Sequence, residues 1–327
     1  MDTAAFRSDL ELIPETLGRL ADALDAGLPG LVEAAVIGER LHAPAKVLVL
    51  GMGSSRYAAD VVARRYRAVG ANVQVELASV DELPPPAPDR VVVAVSATGG
   101  SVEVLRAVER YRGSASPLVA VTNRPASALA EQADAVVELG AGIEASGVAC
   151  RTFRATFPVL DAVLGALTGA AAEQPFDADA VRRAAEANAG LFAASADWLE
   201  AATALVAGPD GAWTLAPAER LSSAQQSALM VREVPRRGAF ASETGDWSHV
   251  DVYLTKTQDY RALVFAGSHW DGQALEWMRE RGSRWASIGG ELPGAEFTIR
   301  HEHDDDARVA LLTETLVGEL VAERLLH

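Results

Sequence analysis

The stretch VLVLGMGSS, residues 47–55, decides how this chain folds. Consecutive valine and leucine residues are typical of a short strand that is buried on both faces. The glycines and serines that follow end the strand, and from Ala58 onward the apolar residues recur at helical spacing. This order predicts a strand, a glycine-rich turn and an amphipathic helix, which together form the first unit of a parallel sheet.

The same alternation continues through the first half of the chain. Further short apolar runs are predicted to be strands at residues 73–77, 91–95, 118–121 and 135–139. The helix after the first strand is predicted to bury one face, made of Ala58, Val61, Val62, Tyr66 and Val69. Residues 46–170 are therefore predicted to form an α/β domain, a parallel sheet flanked by helices, after an N-terminal helical segment at residues 1–45.

The second half repeats the alternation less regularly. A helix predicted at residues 147–168 ends the first domain, and a helical connector at 171–204 leads into a second α/β domain at 205–327. Within this second domain, strands are predicted at 212–215, 250–254, 262–266, 285–288 and 296–299, and helices at 219–234, 271–281 and 305–326. Two α/β halves of similar size indicate an internal duplication.

Composition and charge exclude several classes of function. The 327 residues carry a formal net charge of −16, which disfavours binding to nucleic acid or to an anionic membrane surface. With this net charge, an anionic ligand must be held by local donors. The single cysteine, Cys150, allows no intrachain disulfide. The sequence has no apolar stretch of membrane-spanning length and no signal-peptide pattern, so we expect a cytoplasmic protein.

Two loops after predicted strands have the composition of an anion site. GMGSS follows the first strand at residues 51–55, and SATGGS follows the third strand at residues 96–101. Glycines let a backbone approach an anion, amides at a helix start point toward it, and hydroxyls donate without adding charge. The alternative is that these residues only form turns and caps. Two such loops at equivalent strand ends favour a site for a phosphate monoester.

These two loops and three later motifs, in this order, resemble a known family. The later motifs are ELAS at 76–79, TN at 122–123 and GIEASGVAC at 142–150. Together they resemble sugar isomerase (SIS) domains, and more narrowly the isomerase half of glucosamine-6-phosphate synthase. The resemblance implies two tandem flavodoxin-like SIS domains, each a parallel sheet flanked by helices.

The resemblance also implies a set of ligand-binding residues. Hydroxyls of the two loops would hold the sugar phosphate, namely Ser54, Ser55, Ser96, Thr98 and Ser101. Gly53, Val148 and Cys150 would line the sugar, although Cys150 has the alternative of being a small buried residue. The family usually has Ser-Gln-Ser-Gly-Glu-Thr in the second loop, so Ala97 and Gly100 depart from its pattern, and Ala97 removes a polar contact.

The second half resembles the family at two positions that lie sixteen residues apart. Glu233 ends the predicted helix ALMVRE, as the family's catalytic glutamate does, and His249 stands where the family has its ring-opening histidine. By this resemblance Glu233 moves a proton between C1 and C2 of an open-chain sugar, and partial burial would raise its pKa. His249 would assist ring opening, and in the family it reaches the site from a second subunit, which implies a homodimer. The alternative is that both residues are structural.

The resemblance favours a phosphosugar isomerase or a fructosamine-phosphate deglycase that acts on a hexose or amino sugar 6-phosphate. No cofactor, metal or nucleic-acid partner is expected. The family's glutaminase domain is not found, so no glutaminase activity is expected. Met230 replaces a family lysine, which favours the alternative of a non-catalytic sugar-phosphate sensor or partner subunit. The run HEHDDD at 301–306 has metal-ligand residue types, but solvated charge at a helix start explains it better.

Overall fold

A computed structural model describes residues 2–41 and 45–327, so the end of the predicted 1–45 segment, at residues 42–44, lies outside the described residues. The chain divides into two compact units. The N-terminal unit consists of Thr16–Glu144 and Arg151–Val181. The C-terminal unit consists of Met1–Glu15, Ala145–Cys150 and Arg182–His327.

Helices and strands alternate through the first half of the chain. The helices are α1 (Thr3–Glu11), α2 (Ile13–Ala26), α3 (Leu31–Arg40), α4 (Gly53–Ala68), α5 (Val102–Glu109) and α6 (Arg151–Thr168). The strands are β1 (Lys46–Gly51), β2 (Asn72–Leu77), β3 (Arg90–Val95), β4 (Leu118–Thr122) and β5 (Ala135–Glu138). All five strands pair in parallel, in the order β2-β1-β3-β4-β5. The predicted strands of this half and the α/β fold class are confirmed.

Burial explains why the strands of this sheet are continuously apolar. Each of β1, β3 and β4 is buried along almost its whole length, because side chains on both faces meet a helix or a loop. On one face, alternate strand residues such as Leu48 and Val92 pack with Val104 and Val108 of α5. The predicted buried face of α4 is confirmed except at Val69, which is 42% exposed because the helix ends at Ala68.

The helix predicted at 147–168 begins later than expected, at Arg151. The carboxylate of Glu144 accepts hydrogen bonds from the amide of Arg151 at 2.6 Å and from the amide of Thr152 at 3.0 Å. It also accepts one from the hydroxyl of Thr152 at 2.7 Å. These bonds satisfy helix amides that would otherwise lack acceptors, so they fix the start of α6 and leave residues 147–150 as a loop.

The second half contains five more strands and seven more helices among its described residues. The helices are α7 (Ala178–Ala193), α8 (Ser195–Val206), α9 (Leu221–Glu233), α10 (Thr244–Trp247), α11 (Asp271–Glu280), α12 (Ala307–Thr313) and α13 (Thr315–Arg324). The strands are β6 (Ala212–Ala216), β7 (Ala239–Glu243), β8 (Arg261–Phe265), β9 (Arg284–Ile288) and β10 (Thr298–Ile299). The parallel order is β7-β6-β8-β9-β10, which is the connectivity of the first sheet.

Three predictions for the second half are corrected. The strand predicted at 250–254 is wrong, because Asp251–Lys256 forms a 3₁₀ helix. The edge position of the sheet belongs to β7, whose residues are buried only at Ala239 and therefore lack a continuous apolar run. The helix predicted at 305–326 is divided into α12 and α13 at Glu314, and the strand predicted at 296–299 is reduced to β10. Of the helices in the described ranges, none is both long and apolar enough to cross a membrane.

Candidate functional site

The strand order places a crevice at the carboxyl edge of the first sheet. The strands β1 and β3 are neighbours, with Leu50 opposite Ala94, although β2 lies between them in sequence. The chain therefore leaves β1 and β3 toward opposite sides of the sheet. Such a topological switch point is where open α/β sheets bind ligands, and the two loops chosen from sequence are the loops that flank it.

The first loop joins β1 to α4 by a very short turn. Met52 precedes the helix in an extended conformation, and its apolar side chain does not cap the helix amides. Gly53 has a φ of 47°, which favours glycine, and Ser54 and Ser55 are half-buried in the first turn of α4. The start of α4, with its free backbone amides and two half-buried serines, therefore lies at the end of β1 that borders the crevice.

The second loop brings Ser96 and Ser101 together. Their hydroxyl oxygens share a hydrogen bond at 3.3 Å, and the Ser96 oxygen also accepts from the amide of Gly99 at 3.2 Å. Ser96 is only 4% exposed, and its amide donates to the carbonyl of Val121 at 3.0 Å, which fixes it to β4. Ser101 precedes α5 without capping it, so its hydroxyl faces Ser96 and not the helix amides.

Gly99 is the residue that this second loop requires to be glycine. Its φ is 61°, and a Cβ there would lie 2.0 Å from the hydroxyl oxygen and 2.4 Å from the Cβ of Ser127. Thr98 is exposed, and its hydroxyl oxygen accepts from the amide of Gly100 at 3.3 Å. Of the five predicted phosphate-binding residues, Ser96 is therefore buried and Thr98 is exposed. The other three, Ser54, Ser55 and Ser101, are half-buried.

The charged groups beside the first loop are already paired. Arg56, in the first turn of α4, forms an ion pair with Asp60 at 3.0 Å. Burial raises the pKa of Asp60, and Arg56 opposes this shift. The donors that the two loops carry are thus mostly hydroxyls and backbone amides.

The TN motif supports neighbouring loops. The hydroxyl of Thr122 donates to the carbonyl of Ala97 at 3.4 Å. The side chain of Asn123 accepts from the amide of Ala141 at 2.9 Å and donates to the carbonyl of Gly142 at 2.5 Å. This motif therefore positions the second loop and the chain that leads to residues 142–150.

The predicted sugar-lining residues Val148 and Cys150 lie in a loop of the C-terminal unit, Ala145–Cys150. Both are buried, with 1% and 0% exposure. Asp9 of α1 and Gln226 of α9 hydrogen-bond to this loop, and neither residue was expected there from the sequence. No local pattern could have found them, because Asp9 contacts the loop across more than a hundred residues of sequence.

Glu233 and His249 also lie in the C-terminal unit, at the ends of different helices. Glu233 is the last residue of α9 and is exposed, so the partial burial expected for it is wrong. His249 follows α10 and is exposed as well. It borders a cavity of about 320 Å³ whose other lining residues are Glu243, Gly245, Asp246, Trp270 and Gln273.

The acidic run at 301–306 has a structural role. Asp306 caps α12 by accepting from the amide of Arg308 at 2.9 Å, and it forms an ion pair with Arg183 at 2.8 Å. Asp304 pairs with Arg300. Among the residues that the structure describes, no group of three or more histidine, cysteine or carboxylate side chains is arranged to hold a metal ion.

The switch point of the second sheet is built differently. Arg220, between β6 and α9, forms a buried ion pair with Glu314 and donates to the carbonyl of Ala266 after β8. Asp271, the first residue of α11, accepts from the amides of Gly267 and Ser268 at 2.8 and 2.9 Å. The loops of this crevice therefore use their polar groups on each other.

Comparisons with known proteins agree with this architecture. Residues 40–166 match the family model of the SIS domain. The chain therefore contains a SIS domain. Its two sheets have the arrangement of two tandem SIS domains, so the fold class expected from the resemblance is confirmed.

Two sequence relatives of this SIS-domain protein are glutamine–fructose-6-phosphate aminotransferases (isomerizing). The one from Aeropyrum pernix is 31% identical over 260 residues, which cover 73% of this chain and 40% of that protein. The one from Pyrobaculum aerophilum is 27% identical over 292 residues, which cover 86% of this chain and 46% of that protein. The SIS-domain protein thus spans less than half the length of these relatives.

Solved structures show the same fold at low sequence identity. The C-terminal domain of glucosamine-fructose-6-phosphate aminotransferase from Francisella tularensis has a TM-score of 0.76 and 14% identity, and the match covers 98% of this chain and 96% of that one. Tagatose-6-phosphate ketose/aldose isomerase from Escherichia coli has a TM-score of 0.77 and 17% identity, with 97% and 92% covered.

Proposed function

We propose that this SIS-domain protein binds a hexose or amino sugar 6-phosphate and acts on it as a ketose–aldose isomerase or as a fructosamine-phosphate deglycase. The observation that carries the proposal is the pair of hydroxyls of Ser96 and Ser101, 3.3 Å apart at the switch point. The names of the sequence relatives, which are fructose-6-phosphate aminotransferases, support the same class of substrate.

The proposed phosphate site uses neutral donors. The hydroxyls of Ser54, Ser55, Ser96, Thr98 and Ser101 and the amides at the start of α4 donate to the phosphate oxygens. A dianion gains from these donors and from the positive end of the helix dipole, without a lysine or arginine. The chain has a net charge of −16 and as a whole repels anions. An anion therefore binds where several donors converge, as they do in this proposed site.

The proposed chemistry needs one base and one group that opens the sugar ring. We assign the transfer of a proton between C1 and C2 to Glu233, and the ring opening to His249. Glu233 is exposed in the protein, so the bound substrate itself has to exclude water from around this carboxylate. The isomerisation needs no further reactant, because the proton removed from one carbon is returned to the other and a hydroxyl proton passes between the two oxygens. The deglycase reaction would in addition consume one water, which hydrolyses the imine and releases the amine.

The substitution Glu233→Gln tests this assignment. We expect ketose–aldose interconversion of fructose 6-phosphate or an amino sugar 6-phosphate to fall by about a hundredfold or more, because a general base is lost while the shape is kept. Thermal stabilisation by the same sugar phosphate should persist. The matched control is Glu280→Gln, which changes the exposed last residue of α11 and should leave turnover unchanged.

A non-catalytic sugar-phosphate sensor is the second candidate. Met230, where the family has a lysine, is fully buried and accepts a contact from the side-chain amide of Gln226 at 3.8 Å. This position therefore offers no amine to an open-chain sugar. Sugar-phosphate binding by the wild-type protein without any turnover or exchange of substrate protons with solvent would favour the sensor over the enzyme.

We further propose a cytoplasmic homodimer in which His249 acts in the site of the second subunit. Mixing Glu233→Gln protein with His249→Ala protein should then restore activity to about a quarter of the wild-type value, since half of the random dimers have one intact site. If the mixture stays inactive while light scattering shows a dimer, the histidine does not act across subunits.

A further inference from the structure

The loop at residues 145–150, which carries the proposed sugar-lining residues Val148 and Cys150, is held by side chains from other elements. The carboxylate of Asp9, near the end of α1, accepts from the amide of Ala145 at 3.1 Å and from the amide of Ser146 at 2.8 Å. It also accepts from the hydroxyl of Ser146 at 2.7 Å. Asp9 is only 1% exposed, so these are charge-assisted hydrogen bonds in a buried setting.

Ser146 connects Asp9 to Val148 through a second hydrogen bond. The hydroxyl oxygen of Ser146 accepts from the amide of Val148 at 3.2 Å. Because the proton of that hydroxyl points to Asp9, its oxygen lone pairs are free to face Val148. Asp9 therefore orients the serine that fixes the backbone of a proposed sugar-lining residue.

A second contact reaches the loop from α9. The side-chain amide of Gln226 donates to the carbonyl of Ala149 at 2.8 Å, between Val148 and Cys150. Gln226 is fully buried. It lies seven residues before Glu233, which is about 10 Å along the helix axis. One hydrogen bond thus connects the helix of the proposed base to the loop of the proposed sugar-lining residues.

We propose that Asp9 and Gln226 are positioning residues of the sugar site. Together they hold the 145–150 loop in a fixed register against α9, and so fix the spacing between the sugar-lining backbone and the helix that ends in Glu233. This inference rests on the proposed function for its catalytic meaning. Its physical basis is that displacements of about 1 Å in an active site cost about a hundredfold in rate.

The substitutions that test the proposal change the hydrogen bonds of one side chain at a time while nearly keeping its size. Gln226→Met removes the donor to Ala149, and Asp9→Asn places a donor where the loop amides need an acceptor. The matched control is Asn188→Leu. Asn188 is also fully buried in the C-terminal unit, and its amide donates to the carbonyls of Ala184 at 2.7 Å and Leu312 at 3.0 Å.

The only cysteine of the chain lies at the end of this loop and reports on it directly. Cys150 has 0% exposure, so a thiol reagent can reach it only when the loop opens. We expect Gln226→Met and Asp9→Asn to accelerate labelling of Cys150 under native conditions by at least about tenfold, since each leaves buried loop groups unsatisfied. Asn188→Leu should lower the melting temperature by a similar amount and leave the labelling rate within about twofold of the wild type.

Enzyme kinetics supply the catalytic half of the test. We expect kcat to fall by about tenfold or more in Gln226→Met, while KM for the sugar phosphate changes by less than about threefold, because the phosphate is held elsewhere. Gln226→Asn, which keeps an amide on a shorter side chain, should recover part of the loss.

The two proposals fail in different ways. Labelling of Cys150 at the control rate in both loop variants would overturn the positioning role, whether or not the protein is an enzyme. So would kinetics in which Gln226→Met and Asn188→Leu lose kcat equally. Accelerated labelling together with a wild type that turns over no sugar phosphate would retain the loop contacts and remove the proposed isomerase or deglycase.

Discussion

The loop after β3 and the loop after β8 occupy the same place in two sheets of identical connectivity, yet their polar groups face different partners. After β3, the hydroxyls of Ser96 and Ser101 face each other beside a helix start. After β8, the equivalent positions are Ala266, whose carbonyl accepts from Arg220, and Asp271, whose carboxylate accepts from two amides of its own loop. In the first crevice two hydroxyls bond to each other, whereas in the second an arginine and an aspartate bond to backbone groups of the crevice itself.

The comparison shows what connectivity decides and what it leaves to the side chains. The order of the strands places a crevice at the carboxyl edge of each sheet, between β1 and β3 and between β6 and β8. Whether that crevice can hold an anion depends on the residues of the two flanking loops. In the second crevice, the loop after β6 carries Arg220 in place of the serines of the first loop, and Asp271 stands at the position equivalent to Ser101.

The largest effect is expected from breaking the internal pair of the second crevice. Arg220→Met leaves Glu314, which has 0% exposure, buried without its cationic partner. We expect the free energy of unfolding to fall by about 3–5 kcal/mol at neutral pH. Chemical denaturation of the variant and of the wild type measures this loss.

The loss should depend on pH with a defined sign. Burial raises the pKa of Glu314, and Arg220 lowers it, so removing Arg220 raises the pKa further. A carboxyl whose pKa is higher in the folded state costs no stability when it is protonated, and costs more as the pH rises above its ordinary value of 4.5. The deficit of Arg220→Met should therefore grow from pH 4.5 to pH 7, and a deficit that is constant across this range would contradict the assigned charge pair.

A smaller but more local effect is expected from Gly99→Ala in the first crevice. The new Cβ would overlap Ser127, so the second loop has to move. We expect the affinity for a sugar phosphate to fall by about a hundredfold, measured by calorimetry. The control is Gly113→Ala, which has a similar φ of 65° but nothing within 4 Å of the new Cβ. Equal affinities in the two variants would mean that the second loop does not bind the phosphate.

The smallest effect sharpens the comparison with one hydroxyl on each side. Ser101→Ala should weaken sugar-phosphate binding by about tenfold, because one donor to a charged group is lost. Ser268→Ala in the loop after β8 removes a hydroxyl that accepts from the amide of Trp270 at 3.1 Å, and we expect it to leave binding unchanged. Weakened binding in both variants would break the proposed division between the two crevices.

Local pattern was enough to predict most of the elements and failed in identifiable places. The strands of the first sheet were predicted because burial on both faces makes them continuously apolar. The edge strand β7 was missed because only Ala239 is buried, and residues 250–254 were predicted as a strand because their apolar composition does not distinguish a strand from a short helix. The expected burial of Glu233 was wrong because exposure at a helix end depends on which elements cover it.

Residue spacing within short segments is enough to predict the α/β alternation and the two glycine- and serine-containing loops. The tertiary structure is needed to see that Ser96 meets Ser101, that Arg220 pairs with Glu314 in the second crevice, and that Asp9 and Gln226 hold the 145–150 loop. The physical reason is that most of these contacts join residues far apart in sequence. Their geometry depends on how whole elements pack, which no local pattern records.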